Sequence, residues 1–188
     1  LKKYITPKST IIDIGANIGQ FNFFCFHYLG AKKIYSFEPV KSSFELLSKN
    51  ANKNIYQYAV STKRKEVFFI PITSLMASRF KITKEDENEI IKGIRLDSFL
   101  KSEKISQIEL LKIDTEGSEY DVLQTGKNTV KKSKFILLEA SVDRQSSGDI
   151  LDCIDFIKHT VPNLRLFKIG RIFQEADKIV AVDLLFKQ

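Results

Sequence analysis

Apolar and polar positions along this chain fall into short blocks whose period switches between two and 3.6, the marks of strands and helices. Residues 11–14 (Ile-Ile-Asp-Ile) are a brief, nearly apolar run of the kind found in strands covered on both faces. A heavily apolar helical stretch follows at 20–29, then a second strand at 33–37. Over 42–52, Phe44, Leu46 and Leu47 mark the expected inward face of a helix. A third strand occupies 55–60. The β-rich segment 66–72 ends near Pro71 and so belongs on a sheet edge or in a hairpin. From 73 to 92 the pattern loosens, with a charged helix over 84–91. A loose segment between strands three and four would lie over the carboxyl edge of the sheet, and 73–95 is the candidate substrate lid. Next come a short helix start at 97–100, a fourth strand at 108–113 and a helix at 118–130. A fifth strand at 135–138 ends in Glu139. A helix at 149–159 and strands at 164–169 and 179–186 close the pattern.

Strands and helices alternate, so the expectation is a doubly wound α/β protein, its sheet mostly parallel with helices on both faces. Only the last strand pair, joined across 170–178, reads as antiparallel. At 188 residues the chain fits a single domain, 1–188, with a substantial core. It opens almost directly on the first strand, as a fragment lacking an N-terminal segment would. An apolar content of 43% with fifteen phenylalanines fits a globular α/β protein, and no apolar stretch reaches the length of a membrane span.

Cys25 and Cys153 sit in apolar helical patterns without C-x-x-C spacing, which predicts buried free thiols and a reducing, cytoplasmic location. Two histidines leave little from which to build a zinc centre or a Ser-His-Asp triad. The net charge of +7 suits an acidic partner. Its lysines are scattered, however, and lack interleaved aromatics, so a solvated surface is expected and nucleic acid is not the favoured acceptor.

The chemistry gathers at strand ends. Ile11 to Gly19 reads I-I-D-I-G-A-N-I-G, a strand running into a glycine turn. Open α/β sheets bind nucleotides at that place. A dinucleotide fingerprint needs G-x-G-x-x-G, but Asn17 and Gln20 stand where its second and third glycines belong. A P-loop is absent too, since Gly126-Lys127 is followed by Asn128. Asp13 would repel a pyrophosphate and favour an ammonium. Gly15 and Gly19 permit close backbone approach. Glu38, after a complete helix and a second strand, stands where an acid accepts hydrogen bonds from ribose hydroxyls. These features outline S-adenosylmethionine, which has a ribose and an amino group but no phosphate. An NAD-dependent dehydrogenase is disfavoured by the missing glycines.

If the sheet is doubly wound, strands one, four and five are neighbours, and their outgoing ends carry Asp13, then Asp114 and Glu116, then Glu139. Converging carboxylates have three uses. They can take a divalent metal through oxygen ligands, supply a general base, or cap helices and bind loop amides. Glu119 and Asp121, in the first turn of the 118–130 helix, suit the helix dipole.

Leu111-Lys112-Ile113-Asp114-Thr115-Glu116-Gly117-Ser118-Glu119, followed by Val122-Leu123, resembles the FkbM family of S-adenosylmethionine-dependent methyltransferases, with its strand, I-D-x-E-G-x-E turn and helix. Residues 12–19 are similar to the family's first motif and Phe37-Glu38-Pro39 to its second. Tyr58-Ala59-Val60-Ser61, Arg95-Leu96-Asp97-Ser98-Phe99 and Leu137-Leu138-Glu139 fall in the family's order. The resemblance covers residues 11 to about 139 and weakens beyond. It implies a class I methyltransferase (Rossmann-like) fold, a seven-stranded sheet with a reversed last strand, and O-methylation of a hydroxyl on a sugar, glycan or secondary metabolite. The alternatives are a methyltransferase acting on RNA or protein and a non-catalytic binding domain; an N-P-P-[YF] turn, which base methylation often uses, is missing after strand four. For such a cofactor Asp13, Gly15 and Asn17 would hold the methionine part, Glu38 the ribose, and Ala59 and Val60 the adenine, with Gly19 and Pro39 also in the cofactor site. Asp114 would sit beside the methyl donor, and Glu116 or Glu139 would deprotonate the acceptor. A divalent metal is not expected, although the oxygen ligands would permit one.

Overall fold

The computed structural model describes residues 1–51, 53–62, 65–67, 90–142 and 148–188. β1 (Thr10–Ile14), α1 (Gln20–His27), β2 (Lys33–Phe37), α2 (Lys41–Asn50) and β3 (Ile55–Tyr56) form the first half. β4 (Ala59–Val60), β5 (Lys65–Val67) and β6 (Ile90–Ile94) make a separate three-stranded sheet. α3 (Leu96–Ser102), β7 (Ile108–Ile113), α4 (Glu119–Thr125), α5 (Lys127–Lys132), β8 (Ser133–Ser141), α6 (Ile150–Thr160), β9 (Arg165–Glu175) and β10 (Lys178–Lys187) follow.

The main sheet has seven strands in the order β3-β2-β1-β7-β8-β10-β9. Its first five strands pair in parallel, while β10 runs antiparallel to both β8 and β9. This is the doubly wound sheet with a reversed last strand that the sequence predicts. Central strands are covered on both sides, which is why β1 and β7 read as apolar runs. Ile12, Ile14, Leu111, Ile113, Ile136 and Leu138 face one layer, built from α3, α4, α5 and α6. Ile11, Leu110 and Phe135 face the other, under α1 and the N-terminal segment.

Four local expectations change. The 55–60 run is two strands, because Ile55–Tyr56 pairs with β2 while Ala59–Val60 pairs with β6. The 118–130 helix is broken at Gly126, where a Cβ would meet the Leu96 side chain at 2.8 Å. Leu47 is fully buried but Leu46 is 42% exposed, since adjacent helix positions point about 100° apart. The final strands are longer than predicted, and Gly170 lies inside β9.

Of the expected lid and its charged helix, 73–89 lies outside the described residues; 90–94 is β6. Cys25 and Cys153 are buried free thiols, both pushed up to about 12 by burial. Among the described residues no helix is long and apolar enough to cross a membrane.

Candidate active site

Strand register builds the site. Phe37, Ile14, Ile113 and Leu138 form one row across β2, β1, β7 and β8. The next residue of each strand is Glu38, Gly15, Asp114 and Glu139, so these four share the carboxyl edge of the sheet. That edge is where an open α/β sheet receives its ligand.

The turn after β1 is built from left-handed backbone at alternate positions, with φ of 74° at Gly15, 49° at Asn17 and 92° at Gly19. Gly15 is required twice over: a Cβ there would stand 1.7 Å from the Asp114 carbonyl oxygen. The turn is tied to β2. Gly15 and Ala16 donate their N–H groups to the Phe37 carbonyl at 3.0 and 2.9 Å. Asn17 N–H donates to Glu38 Oε2 at 2.8 Å, and Val40 N–H donates to Oε1 at 2.9 Å. Glu38 is 6% exposed, and burial pushes its carboxyl up to about 7 against the pull of those two N–H groups.

Asp13 is not on this edge. It lies two rows beneath, where Ser36, Asp13 and Lys112 are direct neighbours across β2, β1 and β7. It is fully buried, with Lys112 Nζ 3.1 Å from Oδ1 and the Ser36 hydroxyl donating to Oδ2 at 3.3 Å. One of the chain's own ammonium groups, that of Lys112, therefore stands beside Asp13. The first-strand residue on the rim is Gly15.

Asp114, Glu116 and Glu139 come together, each offering an oxygen within 4.8 Å of the others. Desolvation raises Glu116, helped by the Asp114 and Glu119 charges. Glu139 is pushed up to about 8, first by burial and then by Asp114, Glu116 and Asp183. Asp183 is its register partner on β10 and is held by Arg171 Nε at 2.9 Å. Burial, with that crowding of acids, holds the Glu139 carboxyl well above the usual carboxylate range.

The remaining expected residues differ in exposure. Asn17 is exposed, and Pro39 and Ala59 are half-buried. Val60 is 5% exposed and packs in the main core, so its side chain does not stand free on the rim.

Sequence reasoning passed over three residues. Glu119, taken as a helix-end acid, is 3% exposed and accepts from Thr115 N–H, Thr115 Oγ1 and Gly117 N–H at 2.9–3.0 Å. It thus fixes the turn that presents Glu116, whose φ is 53°. Asp121 accepts from the Thr62 hydroxyl at 2.6 Å and fastens the β4 exit to α4. Lys112 was the legible one: a lysine inside an apolar central strand must find buried partners.

The sequence profile of the methyltransferase FkbM domain matches residues 13–168, most of the chain and all of the edge row. The chain belongs to this FkbM methyltransferase family. A curated relative, the hexuronic acid methyltransferase AglP of Haloferax volcanii, is 26% identical over 146 residues, which cover 74% of this chain and 59% of AglP. The crystal structure of FkbM methyltransferase from Methylobacillus flagellatus is similar with a TM-score of 0.63 and 16% identity, covering 97% of this chain and 44% of that one. TrmK of M. capricolum, solved with S-adenosyl-homocysteine, is similar at a TM-score of 0.54 and 16% identity, over 99% of this chain and 65% of that one. These likenesses establish the class I methyltransferase fold. The FkbM-family chain described here spans less than two thirds of the length of each of these three proteins.

Proposed function

We propose that this chain binds S-adenosylmethionine along the Glu38–Gly15–Asp114–Glu139 edge and methylates a hydroxyl of a sugar or glycan. The observation carrying this is the edge row itself: a ribose-type acid at β2, a glycine turn without a dinucleotide fingerprint at β1, and a carboxylate trio at β7 and β8. The donor set fits the cofactor. Its rim is anionic, which suits a sulfonium and opposes a pyrophosphate.

Glu38 accepts the ribose hydroxyls on the lone pairs left by Asn17 and Val40. Gly15, Asn17 and Gly19 shape the turn around the amino-acid end. Pro39 backs the ribose, Ala59 flanks the adenine, and Val60 supports it from the core. The bound cofactor supplies an activated methyl group with a good leaving group. The protein's task is to align the acceptor oxygen and exclude water. Asp114 borders the reacting centre. Glu139 takes the hydroxyl proton, since its raised carboxyl is matched to proton transfer near neutral pH, and Glu116 orients the acceptor. AglP acts, by its name, on a hexuronic acid, and that kinship supports a sugar acceptor.

Labelled methyl transfer into cell-derived glycans, lipids, RNA and protein tests the acceptor class. Label entering RNA or protein and not glycans would overturn the sugar reading; no transfer to any acceptor, with cofactor bound, would make the chain a binding domain. Glu139→Gln and Glu116→Gln should each lower kcat at least tenfold with cofactor affinity within about twofold of wild type. The closeness of the three carboxylates favours one second reading, a divalent cation that orients the acceptor. Activity abolished by chelator and restored by magnesium or manganese would establish it.

A further inference from the structure

Lys112 is the fifth residue of the six-residue strand β7, with strands on both sides. Its ammonium is enclosed. Asp13 Oδ1 lies at 3.1 Å, Asp114 Oδ2 at 3.3 Å and the Gly15 carbonyl oxygen, to which it donates, at 2.8 Å. The Phe21 ring covers it from α1, 5.5 Å from the ring centroid. Its side chain is 9% exposed. Burial pulls this ammonium down, and the Asp13 and Asp114 carboxylates more than reverse it. The seat continues inward: Asn22 Nδ2 donates to Ser36 Oγ at 2.9 Å, and Ser36 donates to Asp13. One polar chain thus links α1, β2, β1 and β7 and ends on the cofactor turn and on the acid trio.

Three oxygen acceptors and an aromatic face are what a ligand's alkylammonium would seek. Here they are filled from within. We propose that Lys112 is a positioning residue for the cofactor: it occupies the ammonium seat at Asp13, and pins the Gly15 carbonyl and Asp114 so that the turn and the acid loop form one rigid rim. Asp13 then influences the cofactor only through Lys112, and the cofactor's own amino group meets the rim above that seat. This rests on the cofactor reading proposed above and deepens it.

Calorimetry with S-adenosylhomocysteine, paired with thermal unfolding, tests it on wild type, D13N, K112M and D13N/K112M. K112M strands a buried carboxylate and is expected to be unstable. The double variant removes both charges and should melt within a few degrees of wild type. Its affinity should fall at least tenfold, and adding D13N to K112M should change affinity less than twofold. Wild-type affinity in the double variant, or independent multiplicative losses, would overturn the proposal. A wild-type measurement needs no variant: in a ¹⁵N–¹H spectrum of lysine ammonium groups, the slowly exchanging Lys112 signal should persist when S-adenosylhomocysteine is added. Loss of that signal would mean the ligand's amino group displaces Lys112, contrary to the proposal. Failure of wild type to bind S-adenosylhomocysteine would instead sink the cofactor reading, and this one with it.

Discussion

Gly15 and Gly30 both have positive φ, 74° and 78°, yet they tolerate a methyl group very differently. A Cβ at Gly30 meets nothing within 4 Å, whereas at Gly15 it overlaps the Asp114 carbonyl. Gly30→Ala should therefore cost only the left-handed penalty, about 1–2 kcal/mol. Gly15→Ala should cost at least about 3 kcal/mol or prevent folding, because backbone must shift; denaturant titration of both variants compares them. Glu139 carries a second residue-scale prediction, of pH dependence. Its carboxyl rises from 4.5 to about 8 on folding, so the folded state holds the proton longer than the unfolded one. The cost is absent below pH 4.5, accumulates as pH rises towards 8, and is complete above that. Glu139→Gln cannot ionise. It should match wild type in thermal stability near pH 4.5 and exceed it by a few degrees at pH 9. A variant less stable than wild type at pH 9 would show that the Glu139 charge is favourably held.

At the scale of elements, α5 is six residues long and its N-cap, Gly126, has no side chain to cap it. Asp97, in the first turn of α3, supplies one across the fold. It accepts from Asn128 N–H and Nδ2 at 3.0 Å, and from Thr129 N–H and Oγ1 at 2.8 Å. Asp97→Ala should cost about 2 kcal/mol, lowering Tm by roughly 4–8 °C, and leave affinity for S-adenosylhomocysteine unchanged. An unchanged Tm would show that water replaces those bonds freely. Asp97 illustrates what the pattern conceals: R-L-D-S-F announces a helix start, but the carboxylate's partners lie on another helix. The same holds for Asp121, whose partner Thr62 is 59 residues away. Strands β1, β2 and β7 were legible nearly to the residue, because a strand with neighbours on both faces keeps most of its positions apolar. The break between β3 and β4 was not, since Ile55–Val60 keeps one continuous β-prone pattern and only the choice of partner strand divides it.

For the whole molecule, the sequence located the candidate site by naming four strand ends, and the register supplied the order and depth that spacing cannot. Glu38, Asp114 and Glu139 each stand one residue past a shared row, so they share the carboxyl edge. Asp13 stands one row short of it, so it is buried with Lys112. A two-residue offset at a strand tip decides between rim and floor, and strand boundaries read from sequence are no finer than that. The resulting edge is lined with carboxyls although the chain carries a net charge of +7, so selectivity among nucleotides should follow the edge and not the global charge. S-adenosylhomocysteine at a hundred times its Kd should stabilise the fold by about 2.7 kcal/mol, raising Tm by roughly 5–10 °C. NAD and ATP at the same concentration should leave Tm within a degree, despite a positive protein attracting them, because their phosphates would face Glu38, Asp114, Glu116 and Glu139. Thermal shift with the three ligands at two ionic strengths separates these effects. Weak polyphosphate binding to surface lysines disappears with salt, whereas the S-adenosylhomocysteine shift, set by contacts within the rim, survives it. A larger, salt-resistant shift with NAD or ATP would mean that the edge accepts phosphate, and that its carboxylates are not what selects the ligand.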